Sequence, residues 1–154
     1  MGSVKAYLAQ YEHVLSSREA LFAYCESLPS GDLHQKQEPF GATISQLLGH
    51  TVNCYYYWIG ETVLNKSPNF IEKDAQLPLQ ALSEHYDMVN GFMNELWEFP
   101  ATREISFQLR NQKRSASLLK LFTHVTTHEF HHKGQILTLS RALGHTPADT
   151  DVMR

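Results

Sequence analysis

Apolar residues recur at helical spacing in four segments of the chain, and polar stretches that contain proline and glycine separate them. The segments cover roughly residues 4–28, 43–64, 78–97 and 115–143. Thr43 is a good N-cap for the second segment, Pro78 a good first-turn residue for the third, and Gly144 a good residue to follow the fourth. Pro100 stops the third segment. The pattern predicts an all-α fold, a four-helix bundle, in a single domain that spans residues 1–154.

The three connections between these segments are long, and they cover residues 29–42, 65–77 and 98–114. Neighbouring antiparallel helices in simple bundles are usually joined by about two to eight residues. At least one connection can therefore cross over, and simple up-down-up-down order is not assured. Ile105 to Leu109 alternates apolar and polar residues, which permits a short extended segment in the last connection.

The composition is that of an ordinary globular protein, with 154 residues of which 42% are hydrophobic and 19% charged. A net charge of −3 gives no bulk attraction to nucleic acid, and the basic cluster from Arg110 to Arg114 is short. Two cysteines are too few for a disulfide framework and favour a reducing compartment. The sequence shows no secretory signal and no apolar run that approaches the roughly 18 residues of a membrane span. We therefore expect a cytoplasmic protein without a nucleic-acid or membrane partner.

The fourth segment carries histidines at four of the nine positions from 124 to 132. Two histidines four positions apart lie on one face of a helix, about 6 Å apart along its axis. Neutral imidazole is a common ligand of transition metals, and one ion can satisfy several desolvated imidazoles together. We therefore expect His128 and His132 to hold a divalent metal, with a third ligand from another helix.

His50 is the best candidate for that third ligand, because its neighbours three, four and eight positions away predict that it lies on the core-facing stripe of the second helix. His13 and His85 are weaker candidates, since each has charged or polar neighbours. Three imidazoles with an open position are typical of a catalytic site, whereas a structural zinc site closes with four protein ligands. The predicted metal ligands are His50, His128 and His132.

Other side chains near this group have roles that the sequence leaves open. His124 lies one turn before His128, where it could act as a catalytic proton carrier, orient a ligand or simply pack. His131 is turned roughly 100° around the helix from His132 and is expected at the flank. Gln135 either orients a ligand or packs.

Two motifs in the chain resemble those of the DinB/YfiT-like proteins, also called DNA-damage-inducible DinB-like. The first is Leu47-Leu48-Gly49-His50 in the second helix, and the second is His128-Glu129-Phe130-His131-His132-Lys133-Gly134-Gln135 in the fourth. The segment from Arg141 to Asp151 is also similar to that family. The resemblance covers nearly the whole chain, and it is specific in motif and order.

The resemblance implies a four-helix bundle, often in up-down-down-up order, with a metal site at His50, His128 and His132. It also implies a small-molecule substrate, since characterised relatives include S-transferases and an isomerase that use low-molecular-weight thiols, and it allows for homodimers. Metal chemistry at such a site lowers the pKa of a bound water or thiol, as a hydrolase or a transferase requires. Zinc or nickel is the expected metal, and imidazole also suits iron or manganese.

Two other functions fit the same residues. His128 and His132 with Glu129 form an HExxH sequence, in which the glutamate would activate a zinc-bound water for peptide hydrolysis. The extended metzincin pattern fails, and a downstream third ligand would have to be His145, Asp149 or Asp151. The remaining alternative is a metal-binding or partner-binding helical module without turnover.

Overall fold

A computed structural model describes residues 2–154, with side chains from residue 6 onward. Its helices are α1 (Gly2–Ser27), α2 (Ile44–Tyr55), α3 (Leu79–Glu95) and α4 (Leu118–Ala142), and its strands are β1 (Glu104–Leu109) and β2 (Gln112–Ser117). The prediction of a mainly helical fold with four helices is confirmed. Among residues 2–154, none of the helices combines the length and hydropathy that a membrane span requires.

Helix α2 begins at the N-cap that the sequence predicts. The Thr43 hydroxyl accepts a hydrogen bond from the backbone N–H of Gln46 at 3.0 Å, and the Gln46 side chain accepts one from the backbone N–H of Thr43 at 3.1 Å. This reciprocal pair is a capping box. Beyond α2 the chain continues as a π-helical segment, Tyr56–Val63. Within it, a side chain at Gly60 would place its Cβ 2.8 Å from the Phe92 ring, so the close packing of this segment on α3 requires glycine.

Helix α4 packs against both α1 and α2. Helices α1 and α4 run parallel, because residue numbers rise together along both helices in two contacts: Arg18 with Glu129, and Tyr24 with Ser140. Helices α2 and α4 run antiparallel, because residue numbers rise along α2 while they fall along α4. Three contacts show this: His50 with His132, Tyr55 with Glu129, and, just beyond α2, Trp58 with His124. The antiparallel pair brings the histidines of the second and fourth helices to the same level of the bundle.

Helix α3 completes the bundle beside α1 and α2. It runs antiparallel to α1, as two contacts show: Tyr11 with Asn90, and Phe22 with Tyr86. It runs parallel to α2, as two further contacts show: Leu48 with Tyr86, and Gly60 with Phe92. The order of the four helices is therefore up-down-down-up. The long connection between α2 and α3 is the crossover, because it joins two parallel neighbours.

Strands β1 and β2 form an antiparallel hairpin, in which Glu104 lies opposite Ser117 and Leu109 lies opposite Gln112. The two-residue turn places Arg110 and Asn111 at φ values of 50° and 62°, as tight hairpin turns require. The prediction that the fourth helix begins near residue 115 is wrong, because those residues belong to β2. The helix begins at Leu118 instead. The fold is therefore mainly helical and also contains one two-stranded hairpin, which the all-α prediction did not include.

The hydrophobic core lies between the four helices. Its fully buried side chains include both aliphatic and aromatic residues: Leu48, Val52, Tyr55, Val89, Met93, Phe122, Val125 and Ile136. On α4 the buried stripe also contains Glu129 and His132. The metal-ligand candidates on α4 therefore lie along one border of the core.

Candidate metal centre

Three imidazoles from α2 and α4 converge at the edge of the interface between these helices. His50, His128 and His132 each offer one ring nitrogen, and the three atoms lie within 4.8 Å of one another. The Nε2 atoms of His128 and His132 are 3.1 Å apart, and the ring of His50 lies 5.1 and 4.7 Å from theirs, centroid to centroid. We call these residues the three-histidine cluster. Among the described residues, no other group of three or more histidine, cysteine or acidic side chains has donor atoms close enough to share one ion.

The cluster is more accessible to solvent than the sequence suggests. His50 is exposed, His128 is half-buried, and His132 retains only 9% of its accessible surface. The prediction that His50 lies on the core-facing stripe of α2 is wrong. The buried face of α2 is formed by Leu48, Val52 and their neighbours, and His50 lies on the flank of the helix beside the edge of α4. The cluster therefore has a closed side on α4 and an open side at His50.

A hydrogen bond that His132 donates to Gln135 determines which nitrogen of His132 keeps its lone pair. His132 Nδ1 lies 2.6 Å from the Oε1 atom of Gln135. Because an amide oxygen can only accept, Nδ1 carries the proton and donates it. Nε2 therefore keeps its lone pair, and that lone pair faces the other two imidazoles. This is the tautomer that a metal ligand needs.

His128 is held differently from His132. Its Nδ1 atom is buried and has no hydrogen-bond partner among the described residues. Its ring packs on the neighbouring imidazoles, 4.4 Å from the ring of His132 and 5.7 Å from that of His124, centroid to centroid. Packing rather than a hydrogen bond to Nδ1 thus keeps Nε2 directed at the cluster. Three neutral nitrogens in this arrangement fit a divalent transition metal.

The environment of the cluster favours the neutral form of each imidazole. Burial lowers the pKa of His50 and of His132. Burial, together with the neighbouring imidazoles, His132 first, lowers the pKa of His128 to about 4, because a second positive charge there would be repelled. At neutral pH all three side chains are therefore in the state that binds metal.

His124 and His131 lie beside the cluster but are not part of it. His124 is exposed, and its ring contacts both the ring of His128 and the indole of Trp58, the latter at 5.4 Å between centroids. His131 is also exposed and lies on the far flank of α4, with its ring 4.9 Å from that of His132. The geometry leaves His124 one turn along α4 from the cluster, where it reaches both solvent and His128.

Glu129 points into the core, away from the cluster. Its two carboxylate oxygens accept hydrogen bonds from Nε and Nη2 of Arg18, at 2.7 and 2.8 Å, and the Tyr55 hydroxyl donates to Oε2 at 2.6 Å. The ion pair is almost fully buried. A carboxylate bound in this way is not available to activate water, so the HExxH interpretation loses its general base. The sequence analysis missed Arg18, although a charged residue on an apolar helix stripe, between Leu15 and Phe22, is a signal that could have found it.

Three other candidate ligands are engaged elsewhere. His145 Nε2 lies 2.6 Å from a carboxylate oxygen of Asp32, and His85 Nδ1 lies 2.8 Å from the Tyr56 hydroxyl. The carboxylate of Asp149 accepts a hydrogen bond from a backbone N–H two residues further on. None of these three side chains belongs to the cluster.

The cysteines are poor nucleophiles in this fold. Burial, with a smaller contribution from the negative charge of Glu129, raises the pKa of Cys54 to about 12. Burial likewise raises the pKa of Cys25 to about 12. Both side chains are therefore neutral thiols near pH 7, which agrees with small packing residues.

Comparison with known proteins gives one family and several similar solved structures, of which two follow. The profile described as DinB family matches residues 2–154. A DinB-like protein from Bacillus cereus ATCC 10987 has a TM-score of 0.73 and 19% sequence identity, over 94% of this chain and 96% of that one. A DinB-like protein from Bacillus subtilis has a TM-score of 0.67 and 20% identity, over 90% and 94%. Among curated proteins, no match was found. The two crystal structures support the fold, and the profile covers nearly the whole chain.

Proposed function

The chain belongs to the DinB family, and from that premise we propose that it is a metal-dependent enzyme whose divalent ion activates a low-molecular-weight thiol or water. The observation that carries the proposal is the convergence of three ring nitrogens, from two helices, within 4.8 Å of one another. Partial desolvation lowers the pKa of all three imidazoles and so favours their neutral form, and one side of the cluster is open to solvent.

His50, His128 and His132 would hold the ion, and three protein ligands leave a coordination position for an external molecule. Bound there, the ion would lower the pKa of a thiol or water so that thiolate or hydroxide forms at neutral pH. Zinc or nickel is our first choice, with iron or manganese as alternatives, because imidazole suits all four. The exposed side of His50 is the route by which a substrate would enter.

A thiol supplied from solution fits the rest of the site better than a protein thiol. Cys54 is the cysteine on the same flank of α2 as the cluster, but burial raises its pKa to about 12. A neutral thiol is a weak nucleophile, since the thiolate is the reactive form. The nucleophile would therefore come from outside the protein. We propose thiol transfer to a small electrophile as the reaction to test first, with hydrolysis by metal-bound water as the alternative.

His124 is the candidate for moving the proton. Its exposed ring lies against the ring of His128, so it can pass a proton between the open side of the cluster and solvent. We assign it this catalytic role. Gln135 has a positioning role, because its side chain holds the proton on Nδ1 of His132.

Metal analysis of the purified protein tests the first half of the proposal. After dialysis against zinc or nickel, we expect one ion per chain, and His50→Ala and His128→Ala should each lose it. His13→Ala is the matched control, because His13 is an exposed histidine on α1, and it should retain the ion. Metal that stays bound at one per chain in both cluster variants would contradict the proposal.

Turnover tests the second half. The metal-loaded protein is assayed with glutathione, cysteine and coenzyme A against an aryl halide and an epoxide, with the metal-free protein as the blank. We expect metal-dependent loss of free thiol, and His124→Ala should lower kcat while it keeps one ion per chain. Full metal occupancy without turnover across this panel would favour a metal-binding module without catalysis.

A further inference from the structure

A cavity beside the candidate metal centre lies under the β-hairpin. A cavity of about 490 Å³ opens between the hairpin, the π-helical segment after α2 and the first turns of α4. Its walls include Trp58, Phe107, Leu109, Arg114, Lys120 and His124. Small-molecule sites in proteins commonly have volumes of roughly 300–1,000 Å³. We call this volume the hairpin cavity.

One wall of the hairpin cavity is aromatic. The indole of Trp58 packs edge to face against Phe107, with 5.1 Å between ring centroids, and against His124, with 5.4 Å. Trp58, Phe107 and Leu109 are each only half-buried, so their apolar surface is open to a molecule in the cavity. Such a wall favours a ligand with a flat, apolar body.

The rim of the hairpin cavity carries positive charge in a protein whose net charge is −3. Arg114 and Lys120 are exposed at the cavity, and none of the residues that line it is acidic. Arg114 lies opposite Phe107 in the hairpin, so both side chains face the same side of the sheet. The guanidinium of Arg114 donates to the amide oxygen of Gln112 at 2.9 Å, and this neutral acceptor leaves its charge unpaired. The positive charges of Arg114 and Lys120 would attract the carboxylate of a bound molecule.

The hairpin cavity also borders the three-histidine cluster. His124 lies in the cavity wall, and its ring centroid is 5.7 Å from that of His128. A molecule in contact with His124 is thus about one helical turn along α4 from the cluster. Resting on the proposed function, we propose that the hairpin cavity binds the second substrate, a small carboxylate with a flat apolar body, and holds it beside the cluster.

Binding of 2-naphthoate and of its neutral analogue 2-naphthamide to the metal-free full-length protein tests this assignment by calorimetry. We expect the carboxylate to bind more tightly than the amide. In the double variant Arg114→Gln/Lys120→Gln, affinity for naphthoate should fall about three- to tenfold, the size of two exposed charge contacts, while affinity for the amide stays constant. Equal affinity of the wild type for both compounds would overturn the inference.

The matched control removes two positive charges from the same hairpin. Lys113 is adjacent to Arg114 in β2 and points to the opposite face, and Arg110 lies in the turn. Arg110→Gln/Lys113→Gln should therefore bind naphthoate like the wild type. An equal loss in both double variants would mean that only the overall charge matters, which contradicts a site in the cavity.

The two tryptophans of the chain locate the bound probe. Their indole N–H signals in a ¹⁵N–¹H spectrum can be assigned with Trp97→Phe. We expect naphthoate to shift the signal of Trp58 and to leave that of Trp97, which packs against Tyr11 and Phe122, unchanged. A shift confined to Trp97 would place the probe elsewhere and overturn the assignment.

These measurements need no metal, so they separate the two proposals. Naphthoate binding at Trp58 without zinc binding to the cluster would support the cavity and overturn the proposed metal function. One zinc per chain with no naphthoate binding at Trp58 would overturn the cavity assignment and leave the metal centre standing.

Discussion

Replacement of Glu129 by glutamine should destabilise the fold strongly while the metal site stays intact. Glu129 and Arg18 are only 4% and 5% exposed, and the carboxylate accepts two hydrogen bonds from the guanidinium and one from Tyr55. An amide has one oxygen and carries no charge, so the guanidinium stays buried without its counter-ion. Removal of one partner from a buried ion pair costs about 3–5 kcal/mol.

That cost is large against a typical total stability of about 5–15 kcal/mol for a domain. In a chain of this size it corresponds to a fall in Tm of roughly 6–20 °C. Thermal and urea unfolding of the metal-free protein, followed by circular dichroism, measures the loss. Glu12→Gln is the control, because Glu12 is exposed on α1, and it should change stability by less than about 0.5 kcal/mol.

The same variant separates a structural glutamate from a catalytic one. Glu129 points away from the three-histidine cluster, so Glu129→Gln should still bind one metal ion per chain under folding conditions. The double variant Arg18→Met/Glu129→Leu removes both charges and should recover part of the lost stability. A stability within about 1 kcal/mol of the wild type for Glu129→Gln would refute the ion-pair reasoning.

Gln135→Ala should weaken zinc binding about tenfold, because His132 loses the acceptor that keeps its proton on Nδ1. Gln135→Glu should restore the zinc affinity, and competition with a chelator measures the affinity of both variants. Burial lowers the pKa of all three cluster imidazoles, that of His128 to about 4, so zinc affinity should start to fall only below the ordinary imidazole pKa of about 6.5. The metal-free protein should also lose stability over that range, because the unfolded chain binds more protons than the folded one. Titrations from pH 8 to 4.5 check both statements, and a steep loss of affinity already between pH 8 and 7 contradicts the first. Cys54, with its pKa raised to about 12, should react with iodoacetamide at pH 7.5 far more slowly in the folded protein than in urea, as mass spectrometry can show, and equal rates contradict the burial argument.

The four helices could be predicted because each is a long segment with helical periodicity and recognisable ends. The capping residue Thr43 is an example, since its partner Gln46 follows three positions later. Strand β2 could not be predicted in this way, because Gln112 to Ser115 shows no alternation of apolar and polar residues. Its pairing with β1 depends on a turn in which two residues other than glycine adopt positive φ.

The candidate metal centre was predictable in part. The four-residue spacing of His128 and His132 places both imidazoles on one side of α4 whatever surrounds the helix. The burial of His50 was predicted wrongly, because periodicity along α2 does not show which flank meets α4. The partner of Glu129 was also out of reach, since Arg18 lies 111 positions away in the sequence and only the packing of α1 on α4 joins them.

Anomalous diffraction at the zinc edge, from crystals of the zinc-loaded protein, tests the central claim most directly. The account predicts a single strong peak per chain, about 2.0–2.1 Å from one nitrogen of each of His50, His128 and His132, with the fourth position held by a non-protein ligand. A peak at other side chains, or no peak at the cluster in a crystal that contains zinc elsewhere, would contradict it.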